Sequence, residues 1–286
     1  MRATANQYST GSGNKVPTDE SPLALQAWFK AGFVGALSPL TLQVLFLMPL
    51  RICILETDVL RPELVEQFHG YGRMFELLFA QQPIAAEFSV YNVMQGIYPP
   101  EDQRFDAYLV TGSKADSFGT DPWIETLRTY LLELYNRGDK LLGICFGHQL
   151  LALLLGGKSE RATQGWGVGI HNYTLAPATP WMSPAMDKLT LLISHQDQVT
   201  ALPENATVIA SSEFCPFAAY HINDQVLCFQ GHPEFIHDYS RTLLDIRQQC
   251  LGEHIYQQGI ASLDYEHNGA TVAEWMMRFV AHKAAV

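Results

Sequence analysis

The chain has 286 residues, 48% of them hydrophobic and 16% charged, which is enough apolar material to bury a core of ordinary size. Its 29 acidic residues outnumber 18 Lys and Arg for a formal net charge of −11, so a broad basic surface for nucleic acid is not expected. The five cysteines are widely spread and lack CxxC pairing, which argues against a disulfide framework and favours a reducing, cytoplasmic location.

Residues 1–47 differ from the rest of the chain and are predicted to be a disordered or loosely packed extension. The apolar stretch 31–50 is long enough to span a membrane, but only Lys30 precedes it closely and no cleavage site follows. A membrane location is therefore not expected, with targeting or anchoring as the alternative. Residues 48–286 are predicted to form a single domain, with a core over about 50–239 and C-terminal helices over 240–286.

From Leu50 onward, short apolar runs alternate with longer amphipathic ones. The first part predicts strands and helices in turn: strand 51–55, helix 62–82, strands 87–92 and 105–111, helix 122–137, strand 140–144 and helix 148–155. The second part is richer in strands (168–173, 189–194, 207–211, 218–222 and 225–229) and ends with helices 238–252 and 270–283. Strands separated by helices favour parallel pairing in an α/β layered sheet.

The segment Gly143-Ile144-Cys145-Phe146-Gly147 lies between a predicted strand and a helix-like run. Small residues on both sides allow the sharp turn that exposes a nucleophile at the start of a helix. The helix N-terminus places partial positive charge near the sulfur, and the Phe146 N–H points to where an oxyanion would form. Cys145 is therefore a predicted nucleophile. The alternative is a small buried residue at the end of a strand.

A second motif, QGHPEF over residues 230–235, follows another predicted strand. His232 and Glu234 lie on one face if the chain is extended there, so the carboxylate can hold the imidazole while its other nitrogen faces the sulfur. The alternative is a turn with a solvated acid. The spacing of these residues and Cys145 fits no common ligand motif, so no metal site is expected.

With both motifs, the sequence resembles the class I glutamine amidotransferase family, whose signature joins a Gly-Ile-Cys-Phe-Gly-His-Gln elbow to a late His-Pro-Glu. The match covers about residues 50–239. It is most similar to the amidotransferase module of GMP synthetase and its free-standing relatives, through SHQDQV at 194–199 and GWG at 165–167. Too few residues follow Tyr239 for an ATP-pyrophosphatase domain, so a complete GMP synthetase is not expected. The resemblance implies a doubly wound, mostly parallel, flavodoxin-like sheet with flanking helices.

The resemblance also implies roles for individual residues. Cys145 would be the nucleophile, His232 the general base and then acid, and Glu234 its orienting partner. The positions that match the oxyanion hole are the backbone N–H groups of Gly112 and Phe146, and those that match substrate contacts are Gln149, Asp197, Ser113 and His195. Asp197 would pair with the α-ammonium group of the substrate. The alternatives are a solvent-facing Gln149, an exposed loop acid at Asp197, and supporting or packing roles for His148 and His195.

Two positions depart from the family pattern. Ser113 and Lys114 follow Gly112 where many relatives have a Gly-Gly-Pro type sequence, which changes the loop that carries the second oxyanion donor. Gly231 precedes the predicted catalytic His where relatives usually have a bulky apolar residue, which predicts looser packing behind the ring.

The implied reaction is thiolate attack on the γ-carboxamide of glutamine, formation of a γ-glutamyl thioester and release of ammonia and glutamate, with no metal or organic cofactor. The implied partners are glutamine or another γ-glutamyl compound and an ammonia-accepting synthase. One alternative is a γ-glutamyl peptidase that cleaves larger γ-glutamyl amides. A second alternative is a silent binding or regulatory module of the same fold.

Overall fold

The computed structural model describes residues 48–282, so the predicted extension of residues 1–47 and the end of the last predicted helix lie outside the described residues. The helices are α1 (Pro62–Phe68), α2 (Tyr71–Phe79), α3 (Pro122–Asn136), α4 (Phe146–Leu154), α5 (His237–Leu251), α6 (Glu253–Ser262) and α7 (Gly269–Ala281). Within residues 48–282, no helix combines the length and apolar character that a membrane crossing requires.

The strands are β1 (Leu50–Glu56), β2 (Ala86–Asn92), β3 (Ala107–Val110), β4 (Leu141–Ile144), β5 (Lys158–Arg161), β6 (Gly167–Leu175), β7 (Lys188–His195), β8 (Asp197–Ala201), β9 (Ala206–Ser211), β10 (Ala219–Ile222) and β11 (Val226–Phe229). Nine of them form one sheet in the order β2-β1-β3-β4-β11-β10-β9-β6-β7, and β5 pairs with β8 separately.

The part of the sheet from β2 to β11 is parallel. Ile52 pairs with Ala107 between β1 and β3, and Ile144 pairs with Phe229 between β4 and β11. The strands β10, β9, β6 and β7 extend the sheet with antiparallel pairings. The predicted α/β class with flanking helices is confirmed, since crossover helices connect the early strands and leave them parallel.

Helices cover both faces of the parallel strands. Ile52 and Ile54 of β1 pack in one buried cluster with side chains of α2 and α7. Cys53 and Leu55 point the other way and pack with side chains of α3 and α4. This alternation explains why β1 is a nearly continuous apolar run rather than an alternating one.

The predicted helix over 62–82 is wrong as a single element, because the chain breaks it into α1 and α2. His69 has a φ of 64°, and its N–H closes α1 on the Val65 carbonyl. The helix then restarts so that the Gly72 N–H donates to the Glu56 carboxylate at 2.9 Å. Apolar spacing alone does not reveal such a break, because both helices contribute to buried clusters.

The sequence did not predict β5, β8 or α6. The strands β5 and β8 are far apart in the sequence, pair antiparallel and consist largely of polar residues, and α6 contains Gly259, a residue type that disfavours helix. A Cβ at Gly259 would lie 2.8 Å from Leu244 and 2.9 Å from Val168, so a glycine allows α6 to pack closely on α5 and β6. This close packing explains a glycine inside a helix, where it is otherwise unfavourable.

The turn between β4 and α4 is closely packed. A Cβ at Gly143 would lie 2.7 Å from the Gly147 carbonyl oxygen, and a Cβ at Gly147 would lie 2.4 Å from the Val110 carbonyl oxygen. Both distances are far below van der Waals contact with backbone atoms that cannot rotate away. The two glycines therefore let α4 approach β3 directly after Cys145.

Substitution Gly147→Ala is expected to lower the free energy of unfolding by about 1–3 kcal/mol, since the added methyl group forces α4 away from β3. Denaturant unfolding measures the change. The control Gly138→Asn has open space around its added Cβ and a φ of 85°, which Asn tolerates, so it should change the unfolding energy by less than about 1 kcal/mol. Equal effects of the two substitutions would contradict the packing argument.

Candidate active site

The predicted site lies where the parallel strands end. Thr57 follows β1, Gly112 follows β3, Cys145 follows β4 and His232 follows β11 within a few residues. Because these strands are parallel, their carboxyl ends meet at one edge of the sheet, the usual place for ligands in such folds. Residues far apart in the sequence are thereby brought together.

Cys145 holds a conformation that is rare for a residue with a side chain, with φ 51° and ψ −99°. Its N–H donates to the Phe229 carbonyl at 2.9 Å, and its own carbonyl accepts from the Gln149 N–H at 3.0 Å. These bonds fix the backbone turn at residues 143–147, called the elbow below, between β11 and the first turn of α4. Phe146 is the first residue of α4, where backbone N–H groups have no partner within the helix.

The His232 ring is held from several sides. Its backbone N–H donates to the Leu192 carbonyl at 2.8 Å, which ties this segment to β7. The ring Nδ1 donates to Glu234 Oε1 at 2.7 Å, and the ring stacks on Phe235 with centroids 3.9 Å apart and planes 9° apart. With Nδ1 on the carboxylate, Nε2 is the ring nitrogen left for a second partner.

The charge state of His232 follows from its neighbours. Burial lowers the pKa of the ring, but the negative charges of Glu234 and of the Cys145 sulfur outweigh burial and raise the pKa to about 10. The ring therefore favours the imidazolium form at neutral pH. An imidazolium beside a sulfur is the arrangement that stabilises a thiolate.

Gly112 approaches both side chains. A Cβ at this position would lie 2.7 Å from His232 Cε1 and 3.5 Å from Cys145 Cβ. Only a glycine backbone fits here without moving the ring. The Gly112 backbone is thus close enough to border the space in front of the sulfur.

The loop that follows Gly112 is anchored by residues that the sequence analysis missed. The Thr57 hydroxyl lies 3.0 Å from the carbonyl oxygens of Thr111 and Gly112. The buried Asp58 carboxylate accepts from the backbone N–H and from the Nζ of Lys114, both at 2.9 Å. These contacts therefore hold the loop that contains the unusual Ser113-Lys114 sequence in place. A signal was available, since Thr57 and Asp58 directly follow the buried strand β1.

Gln149 and Asp197 lie together beside the elbow. The Gln149 side chain is buried, and its Nε2 donates to the Asp197 carbonyl at 2.8 Å and to Gln230 Oε1 at 3.1 Å. Asp197 begins β8 and is 9% exposed. The alternatives of a solvent-facing Gln149 and an exposed loop acid at Asp197 are therefore wrong. Burial, opposed by Arg161 and assisted by Asp116, raises the pKa of Asp197 to about 6.

The other predicted site residues make local contacts. The Ser113 Oγ accepts from the Ala115 N–H at 3.1 Å. The His195 Nδ1 donates to the Asp197 carbonyl at 3.1 Å, and burial lowers the pKa of this ring to about 3. The His148 ring is buried with its centroid 4.9 Å from that of Tyr220. A neutral His195 that donates to the Asp197 carbonyl suits a supporting role in the turn between β7 and β8.

The packing behind Gly231 corrects the expectation of a loose ring. A Cβ at Gly231 would lie 2.8 Å from Leu191 Cβ and 2.9 Å from Leu191 Cδ1. The space that a bulky residue fills in relatives is here occupied from β7. The segment before His232 is therefore closely packed.

The remaining cysteines differ from Cys145 in their surroundings. Burial raises the pKa of Cys53, and it raises the pKa of Cys215 and Cys228 to about 12. Cys250 is exposed. Because burial keeps them protonated, Cys53 and Cys228 are expected to react slowly with thiol reagents. Among residues 48–282, no group of at least three His, Cys, Asp or Glu side chains is arranged to hold a metal ion.

Comparison with known proteins gives a consistent set of similarities. The family model for glutamine amidotransferase class-I matches residues 105–245. Gamma-glutamyl peptidase 3 of Arabidopsis thaliana is 32% identical over 204 residues, which cover 68% of this chain and 79% of that protein. Gamma-glutamyl peptidase 4 of the same organism is 34% identical over 198 residues, covering 66% of this chain and 77% of that protein.

A solved structure supports the fold. A glutamine amidotransferase from Thermotoga maritima superposes with a TM-score of 0.67 at 17% identity, covering 82% of this chain and 100% of that chain. At this identity the likeness concerns the fold alone.

Substitution Glu234→Gln is expected to lower the pKa of His232 well below 10, because burial then acts with one less opposing negative charge. An NMR titration of the His232 ring protons measures the value. Glu133→Gln, an exposed position on α3, serves as the control and should leave the titration unchanged. An unaltered pKa in Glu234→Gln would contradict the assignment of Glu234 as the charge partner.

Proposed function

This chain belongs to the class I glutamine amidotransferase family, and we propose that it hydrolyses the amide bond of γ-glutamyl compounds through a thioester on Cys145. One observation carries the proposal. Cys145 holds a positive φ at the start of α4 beside an imidazole whose other nitrogen is bound to the buried Glu234 carboxylate. A nucleophile, a base and an orienting acid are the parts that acyl transfer by cysteine requires.

The first half of the reaction forms the thioester. His232 takes the proton of Cys145 as the sulfur attacks the γ-carbonyl carbon, whose π electrons move to the oxygen. The backbone N–H groups of Phe146 and Gly112 donate to this oxyanion. When the oxyanion collapses, the C–N bond breaks and His232 gives its proton to the departing nitrogen.

The second half releases the acid. His232 takes a proton from a water molecule, whose oxygen attacks the thioester carbonyl carbon. Collapse of this second oxyanion breaks the C–S bond and releases glutamate, and the proton on His232 is again shared with the Cys145 sulfur. Glu234 keeps the imidazole in one tautomer and stabilises its charged form throughout. No metal or organic cofactor enters these steps.

The leaving group separates two candidate substrates. Glutamine would release ammonia, and a γ-glutamyl peptide would release an amino acid or peptide. The similarity to proteins named γ-glutamyl peptidases favours the second substrate. Gly231 offers no extra room for a larger leaving group, since Leu191 fills the space beside it.

Release of glutamate should be measured from glutamine and from a panel of γ-glutamyl dipeptides. We expect faster turnover of the dipeptides, and we expect Cys145→Ala to lose at least about 1,000-fold in kcat for every substrate, since no other group can form the thioester. Cys250→Ala, at an exposed cysteine, is the matched control and should retain activity. Faster turnover of glutamine would favour the glutaminase, and its ammonia would then need an accepting synthase. If the folded wild type released no glutamate from any of these substrates, a binding or regulatory role of the same fold would be favoured.

Substitution Gly112→Ala should lower kcat by about 100-fold, because the added methyl group would lie 2.7 Å from His232 Cε1 and displace the ring or the oxyanion loop. Steady-state kinetics with the preferred substrate measure the loss, and thermal unfolding checks that the variant is folded. Gly138→Ala, where nothing lies within 4 Å of the added Cβ, is the control and should leave kcat unchanged. An unchanged kcat in Gly112→Ala would contradict the expected clash between the added methyl group and the His232 ring.

A further inference from the structure

A cluster of charges lies beside the proposed site and is centred on Arg161, the last residue of β5. Its Nε lies 2.8 Å from Asp197 Oδ1, and its Nη2 lies 3.2 Å from Asp116 Oδ1. Its Nη1 donates to Gln196 Oε1. Asp116 belongs to the loop that begins at Gly112, so Arg161 joins that loop to the turn between β7 and β8.

This cluster is connected to the nucleophile through Gln149. Both amide hydrogens of Gln149 are directed to protein acceptors, the Asp197 carbonyl and Gln230 Oε1. Its Oε1 is therefore the end that can accept from a ligand. Because Gln149 lies one turn after Cys145, Asp197 is separated from the nucleophile helix by a single side chain.

The chemistry of a γ-glutamyl group calls for two opposite charges in a site that binds its head group. Its α-carbon carries an ammonium and a carboxylate, so a site that selects it needs acceptors for one and a cation for the other. Asp197 and Gln149 offer the acceptors. Arg161 is a cation in direct contact with Asp197.

Arg161 has the exposure and the donors for this task. Its side chain is 51% exposed. The two terminal nitrogens of a guanidinium carry four N–H donors. Two of these are donated to Gln196 and Asp116, which leaves one on each terminal nitrogen without a partner among residues 48–282. Planar pairs of such donors suit a carboxylate.

Two other cations near the site are directed elsewhere. The Lys114 Nζ is bound to the buried Asp58 at 2.9 Å. The Arg247 guanidinium donates to the Ser194 hydroxyl and lies over the Trp166 ring, 5.3 Å from its centroid. Of these three cations, Arg161 is therefore the one that contacts a predicted substrate-binding residue, Asp197.

We propose that Arg161 binds the α-carboxylate of the substrate while Asp197 and the Gln149 amide oxygen accept from its α-ammonium. This inference rests on the proposed function. It defines the substrate class as γ-glutamyl compounds with a free amino acid head group. Glutamine side chains within a polypeptide carry neither charge and are excluded.

Binding in the Cys145→Ala background, where turnover is blocked, tests the proposal by calorimetry. The ligands are L-glutamine and its α-amide, which lacks the α-carboxylate. We expect the parent variant to bind glutamine at least about tenfold more tightly than the α-amide, since a charge-assisted contact is lost. Adding Arg161→Gln should weaken glutamine by about the same factor and leave the α-amide nearly unchanged, which abolishes the preference.

Two controls separate binding from structure. Arg73→Gln removes an ion-paired arginine of equal side-chain exposure, 51%, on α2 and should leave both affinities unchanged. Asp116→Asn removes one tie to Arg161 but keeps the guanidinium, so the preference for glutamine should persist. Thermal unfolding confirms that each variant is folded.

Each contrary result has a distinct meaning. If Arg161→Gln lowered the affinity for both ligands equally, the proposal would be overturned and the arginine would have only a structural role. Tighter binding of both ligands would overturn it too, since Arg161 would then compete with the ammonium for Asp197. Binding of neither ligand by the parent variant would contradict the head-group site, and an inactive wild type in the turnover assay would contradict the proposed function itself.

Discussion

At the junction of β4 and α4, the Cys145 backbone adopts φ 51° and ψ −99°, which costs a residue with a side chain about 1–3 kcal/mol. The surrounding packing offsets this cost. Gly143 and Gly147 let α4 press against β3, and the Phe229 carbonyl holds the Cys145 N–H. A relaxed turn at Cys145 would rotate the sulfur away from His232 and misalign the first N–H groups of α4. The proposed chemistry therefore depends on the close packing of this elbow.

Parallel strands extend the influence of the elbow to distant parts of the chain. The ends of β1, β3, β4 and β11 deliver the anchor Thr57, the glycine beside the ring, the cysteine and the histidine to one edge. Phe235 then supports the imidazole by stacking, and Asp58 holds the neighbouring loop. Each contact is modest, but together they leave the His232 ring little freedom. Catalysis by positioned groups needs such preorganisation.

The sequence predicted the family, the α/β class and most of the strands, because apolar periodicity and the two motifs are local signals. The elbow glycines were also interpreted correctly, since their packing role follows from the strand-to-helix turn. Three kinds of feature could not be predicted from the sequence. The break at His69 and the helix around Gly259 depend on tertiary contacts, and the filling of Gly231 depends on Leu191 from a separate strand. The proposed role of Arg161 depends on a polar strand, β5, that apolar periodicity does not detect.

The central claim is that a γ-glutamyl group is carried on Cys145 during turnover. Acid quenching in the steady state, followed by digestion and mass spectrometry, tests this directly. The account predicts that the peptide containing Cys145 gains the mass of one γ-glutamyl group, that base removes this adduct, and that Cys145→Ala lacks it. Rapid turnover with no adduct on Cys145, or with the adduct on another residue such as Cys215, would contradict the account.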